Sequence, residues 1–93
     1  MTRDRKDIDI ALRRKGFHHV DGDHDYYIYH NLDGLKTMKK TMMSRGTSYK
    51  TIGDPLLGQM ARQVGLAKAM FINLIDCTLD QPGYETLAFK KEG

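Results

Sequence analysis

The sequence predicts a small α+β domain: one amphipathic helix, a three-stranded antiparallel meander, then two or three C-terminal helices. Three observations carry this expectation. Apolar residues recur at helical spacing over residues 4–15. That period vanishes between residues 17 and 43, where an aromatic-rich run is cut by two turn signals, Asp21-Gly22 and Asp33-Gly34. Helical spacing returns after Asp54-Pro55.

In the first helix, residues 4–15, Ile8, Leu12 and Lys15 share one face with Ala11 beside them. Asp4, Asp7 and Asp9 come early, and Arg13, Arg14 and Lys15 come late, the order that complements the helix dipole. Gly16 suits the position after the helix, where a positive φ carries no steric strain. Residues 17–20 form a first short strand. Asp21-Gly22-Asp23 is a hairpin turn, residues 25–30 (DYYIYH) form an aromatic second strand, residues 31–34 (NLDG) turn again, and residues 35–43 form the third strand. Neither face of the meander is cleanly apolar. His24, Tyr26, Ile28 and His30 fall on one face of the second strand and Tyr27 and Tyr29 on the other. Ile28, with Met38 or Met42, is the expected inward set.

Residues 44–53 read as a polar loop. Asp54 as N-cap and Pro55 as first helical residue open a helix whose apolar face is Leu56, Leu57, Met60, Ala61 and Val64, and Gly65 ends it. Gly58 inside it weakens the helix by about 1 kcal/mol relative to Ala, so packing must hold it. Residues 68–78 form the next helix, with Met70, Phe71, Leu74 and Ile75 inward. Residues 80–83 (DQPG) are expected to stop it, and residues 84–90 form a last short helix.

Size bounds what such a chain can do. Ninety-three residues build one domain, with residues 1–46 as an α-β-β-β core and 54–90 as C-terminal helices. A multi-domain enzyme and a nucleotide-binding βαβ unit do not fit. With 40% hydrophobic and 29% charged residues, the chain is globular and neither disordered nor membrane-embedded. A single cysteine, Cys77, excludes both a disulfide framework and a cysteine zinc site. The polar N-terminus carries no secretory signal, so a cytoplasmic protein is expected.

The net charge of +3 is unevenly spread. Residues 1–52 hold eleven Lys or Arg against seven Asp, and residues 35–52 hold Lys36, Lys39, Lys40, Arg45 and Lys50 with no acid at all. Such a run is the footprint a polyanion would use. It is equally the pattern of a solvated strand edge, where lysines discourage edge-to-edge pairing.

Four histidines, His18, His19, His24 and His30, lie among Asp21, Asp23 and Asp25. A calcium loop beginning at Asp21 would need Gly at its sixth position and Glu at its twelfth, where Tyr26 and Leu32 stand. Zinc-knuckle spacing is absent, since His18 and His19 are adjacent and point to opposite faces of a strand. A histidine–carboxylate site assembled across strands stays open. His24 is the best single catalytic candidate: it lies at a turn-to-strand junction, held yet open to solvent, and imidazole suits general acid–base work. A surface histidine in a polar turn is the competing reading. Asp23 and Asp25 flank it, although strand neighbours point away from each other. Tyr26, Tyr27 and Tyr29 near lysines could stack bases as RNA-recognition domains do, but the element order differs, and packing against the helices is the better expectation. Ser44, Ser48 and Cys77 read as structural, with Cys77 buried on its helix.

A helix ending in Arg13-Arg14-Lys15-Gly16-Phe17, a strand, the turn Gly22-Asp23-His24-Asp25, an aromatic strand, the turn Asp33-Gly34 and a Lys/Thr-rich third strand together resemble the HicA-like toxins of bacterial toxin–antitoxin systems. The resemblance covers residues 4–46, about half the chain. Residues 54–66 (DPLLGQMARQVGL) and the helix after them are similar to longer members of that family. The resemblance implies a fold like the double-stranded-RNA-binding domain, metal-independent RNA cleavage (an mRNA interferase without cofactor), and inhibition by a HicB-type antitoxin. It places the family's catalytic histidine on His24 and its glycine on Gly22. The family's serine is Asp23 here, and the following residue, often histidine, is Asp25. On this reading RNA is the partner, no membrane is involved, and Lys36, Lys39, Lys40, Arg45 and Lys50 bind phosphates. A non-catalytic RNA-binding module and a protein-interaction domain are the alternatives.

Overall fold

The computed structural model describes residues 2–44 and 51–89. Its elements are β1 (Arg3–Asp4), α1 (Arg5–Arg14), β2 (Phe17–Asp21), β3 (His24–His30), β4 (Lys36–Ser44), β5 (Thr51–Ile52), α2 (Asp54–Gln63), α3 (Lys68–Ile75) and α4 (Gln81–Ala88). The α+β class holds: β2, β3 and β4 form an antiparallel meander in that order, and the helices cover one of its faces. β1 and β5 form a separate two-stranded ladder, pairing Arg3 with Ile52 and Asp4 with Thr51 inside what the sequence predicts as helix start and polar loop. No helix among the described residues is long and apolar enough to cross a membrane.

α1 buries Ile8, Ala11 and Leu12 as the periodicity predicts. Lys15, on the same face, is only 8% exposed, and its ammonium donates to the Leu74 carbonyl at 3.0 Å. A buried lysine is tolerable there because a carbonyl at a helix C-terminus lacks an intrahelical donor and carries partial negative charge. Arg3 reaches the other side of the same helix end, gripping both Asp76 carboxylate oxygens at 2.7 and 2.8 Å.

The inward face of the sheet is the reverse of the expected one. Tyr27 and Tyr29, with Thr41 and Met43, point into the core, while Met38 is 95% exposed and Met42 is exposed. The helices supply the reason, because each inward hydroxyl has a partner on one of them. Tyr27 donates to Asp9 of α1 at 2.6 Å, Tyr29 to Glu85 of α4, and Thr41 to Gln63 of α2 at 2.6 Å. A tyrosine buries more apolar area than an isoleucine, provided its hydroxyl is satisfied. Phe17, Tyr29 and Tyr84 then meet as a ring cluster with centroids 4.8–5.3 Å apart. Met38 falls in line with Lys36, Lys40 and Met42 on the outward face, and it stands where the register shifts between the pairs Ile28–Lys40 and His30–Lys36. Thr37 Oγ1 fills the irregularity, donating to the Tyr29 carbonyl and accepting from the Lys39 amide.

Three helix boundaries also differ. Gly53, and not Asp54, is the N-cap of α2, which moves Pro55 to its second residue. Proline is harmless there too, since the first-turn N–H groups have no intrahelical acceptor. α3 stops at Ile75 and the chain leaves through Cys77 at φ 67°, so Cys77 is exposed in a turn and not buried on a helix. Asp80 to Gly83 begin a helix instead of ending one: the Asp80 carboxylate caps α4 by accepting from the Gly83 amide at 2.9 Å, with Pro82 in the first turn.

Candidate nucleic-acid interface

With the helices on one side, the other face of the meander is open. The register lines up His18 and Val20 on β2, His24, Tyr26, Ile28 and His30 on β3, and Lys36, Lys40 and Met42 on β4. His18 and His30 stack across the strands, with ring centroids 3.7 Å apart and planes within 6°. Lys36 stands opposite His30 and Lys40 opposite Ile28. Val20 and Met42 flank Tyr26 from the two sides.

His24 opens β3, opposite Ser44, its ring centroid 6.1 Å from that of Tyr26 with the planes 75° apart. Its Nδ1 is buried and has no hydrogen-bond partner among the described residues, and the residue as a whole is half-buried. Tyr26 folds over the turn: a Cβ on Gly22 would lie 3.2 Å from its ring. At about 3.3 Å per residue, Lys40 is displaced some 13 Å along β3 from His24 and Lys36 about 20 Å. The arrangement is a track along a strand and not a compact pocket.

The carboxylates lie elsewhere. Asp25 is on the helix side, where its Oδ1 meets His19 Nε2 at 2.9 Å and its Oδ2 lies 4.0 Å from Arg5. Asp21 Oδ1 stands 3.4 Å from the same imidazole nitrogen. Alternation along the strands therefore separates charge by face: among the described residues, no Asp or Glu of β2–β4 shares the face of Lys36 and Lys40. Asp23, in the turn, is the carboxylate that remains beside His24 in the chain.

Among the basic residues that the sequence singles out, the structure brings Lys36 and Lys40 onto the open face. Lys39 turns to the helix side, its ammonium 5.6 Å from the Phe89 ring centroid and against Gly65. Arg45 and Lys50 lie outside the described residues. The His18–His30 stack and the His19–Asp25 pair escape sequence reasoning as specific contacts, although both follow from the period-2 alternation once the Asp21–Asp25 register is known.

A polar cleft of about 300 Å³ runs between α1 and the helix-side face of β2 and β3, lined by Arg5, Lys6, Asp9, Arg13, His19, Asp25 and Tyr27. Burial, and then its bond to Asp9, pushes the Tyr27 phenol well above its ordinary range; burial, and then the Glu85 carboxylate, pushes Tyr29 up to about 12. Both tyrosines therefore stay protonated donors at neutral pH. A second cavity of about 530 Å³, between the end of β4 and α2, is mostly apolar, with Met42, Met43, Ile52, Leu56 and Met60 on its walls.

Fold and face together define a small α+β protein with one helix-covered sheet face and one open face bearing imidazoles, a tyrosine and lysines. No family model, curated protein or solved structure matches the chain.

Proposed function

We propose that the protein binds RNA on the open face of the meander and cleaves it with His24, as the resemblance of residues 4–46 to the HicA-like toxins implies. The observation that carries the reading is the segregation of charge by face: Lys36 and Lys40 share a surface with His24, Tyr26 and the His18–His30 stack, while Asp21 and Asp25 are turned to the helix side beside His19. Phosphates would meet the ammonium groups, and bases have flat rings on which to stack.

In the proposed reaction, His24 Nε2 takes the proton of a ribose 2′-hydroxyl. The 2′-oxygen bonds to the adjacent phosphorus, the bond from phosphorus to the 5′-oxygen breaks, and water protonates the leaving 5′-oxygen. The products are a 2′,3′-cyclic phosphate and a 5′-hydroxyl end, and no metal takes part. Lysine charge offsets the charge that develops on the phosphoryl oxygens. A HicB-type antitoxin would act by covering this face.

His24→Ala is the decisive variant. Cleavage of a labelled RNA should fall by about 10²–10⁴-fold, the usual weight of a general base. The circular dichroism spectrum should not change, and growth inhibition on expression should disappear. Unchanged cleavage by the variant would falsify the catalytic role. Binding without cleavage in the wild-type chain would leave a non-catalytic RNA-binding module.

A further inference from the structure

The geometry points to a divalent-metal site at the base of the β2–β3 hairpin, made by His19, Asp21 and Asp25 and suited to zinc. This site lies on the helix side of the sheet and does not depend on the RNA reading.

The three ligand atoms come from two paired strands. Asp21 and Asp25 are register partners on either side of the Gly22-Asp23 turn, and His19 sits two residues before Asp21 on the same face of β2. His19 Nε2 is 2.9 Å from Asp25 Oδ1 and 3.4 Å from Asp21 Oδ1, and donors of all three residues lie within 4.8 Å of one another. Bonds of about 2.0–2.1 Å in a tetrahedral zinc site put neighbouring donors roughly 3.3–3.4 Å apart. Of the three edges, the one from His19 to Asp21 already has that length, the one from His19 to Asp25 needs to open by a few tenths of an ångström, and the one between the two carboxylates lies within 4.8 Å, a span that side-chain rotation can close.

Chemistry selects the class of ion. An imidazole with two carboxylates suits zinc, and magnesium and calcium prefer all-oxygen shells. Two carboxylates balance the charge of a divalent cation. The Arg5 guanidinium stands 4.0 Å from Oδ2 of Asp25, while the hydrogen bond to His19 is made by Oδ1, so the guanidinium can hold the ligating carboxylate from outside. The imidazole is steadied by the Tyr27 ring, 5.3 Å away and tilted 47°. The cleft lined by His19 and Asp25 gives the ion a path in from solvent. Three protein ligands leave a fourth position for water. The bound ion would clamp the two residues that bracket the turn carrying His24.

Equilibrium dialysis of chelator-treated protein against zinc at neutral pH tests the site, with cobalt as a spectroscopic probe. The expected result is one zinc per chain, a rise in melting temperature with zinc, and visible cobalt absorption of tetrahedral intensity. Asp21→Asn and His19→Gln should each weaken zinc binding at least tenfold. Asp21 is the control for folding, because its side chain is 72% exposed and the variant should fold without metal. Absence of stoichiometric zinc on the wild-type chain, or zinc binding undiminished in both variants, would overturn the assignment.

Discussion

As letters, Lys36, Lys39 and Lys40 are equal candidates to meet phosphates, and side-chain direction ranks them. Lys36 and Lys40 project from the open face of β4, while Lys39, beside the register shift, lies against Phe89 and Gly65. If the open face carries RNA, replacing Lys36 and Lys40 together by Gln should lower affinity and flatten its salt dependence. The expected change in the log–log slope is about 1.4 for two lost single-strand phosphate contacts. Lys39→Gln should leave that slope unchanged. Filter-binding titrations between low and physiological salt separate the two outcomes. A larger loss for Lys39→Gln would sink the assignment of the open face. The residue scale is also where sequence reading is weakest: His24 was visible as a candidate from its turn, but its position relative to Asp25 depends on alternation that only pairing confirms.

Element boundaries depend on local chemistry, and most were legible. α1, the three strands and α2 fall within a few residues of their expected ends, because periodicity and turn residues act over short distances. The exceptions concern residues with two meanings. Asp-x-Pro-Gly at residues 80–83 can end a helix or cap a new one, and the chain uses it as a cap. Gly16 shows how tightly one element joins the next. Its φ is +93°, and a Cβ there would lie 2.5 Å from Gln81 Nε2 and 2.8 Å from the His30 carbonyl. Its own carbonyl accepts from the His30 amide at 2.8 Å, closing the β2–β3 ladder at this end. Gly16→Ala should therefore destabilise the fold by roughly 2–3 kcal/mol, combining a left-handed backbone with a steric clash. Urea unfolding should show a lower midpoint at unchanged slope. Wild-type stability in that variant would contradict the described junction.

At the scale of the whole molecule, the core is unusual in resting on tyrosines. Tyr27, Tyr29 and Tyr84 are each at most 2% exposed, and together they join the sheet to α1, α4 and the end of α2, where Tyr84 donates to the Val64 carbonyl at 2.8 Å. Burial is the largest cause raising all three phenols above their ordinary range, Tyr29 to about 12. The sign of the linkage follows. A phenol with an ordinary pKa of about 10 when unfolded and a raised one when folded binds its proton more tightly in the native state. The stability it contributes is complete below about pH 10 and is lost as pH rises through the folded values. Absorbance titration at the tyrosinate band should show these three of the five tyrosines ionising only as the fold is lost, in step with the circular dichroism signal. Early ionisation of all five in a still-folded chain would contradict the packing.

The sequence by itself determined the α+β class, the order of helix, meander and helices, the acid-free basic run, and the placing of His24 beside a hairpin turn. Spacing, capping and turn chemistry act between neighbours in the chain, so they can be read from it. The tertiary structure decided which face of the sheet is buried. In strands where both faces mix polar and apolar residues, alternation names the two faces without choosing between them. The choice fell to the helices, whose Asp9, Glu85 and Gln63 accept hydrogen bonds from Tyr27, Tyr29 and Thr41. That decision left three of the four imidazoles and two lysines in the open, and it brought His19, Asp21 and Asp25 together on the covered side.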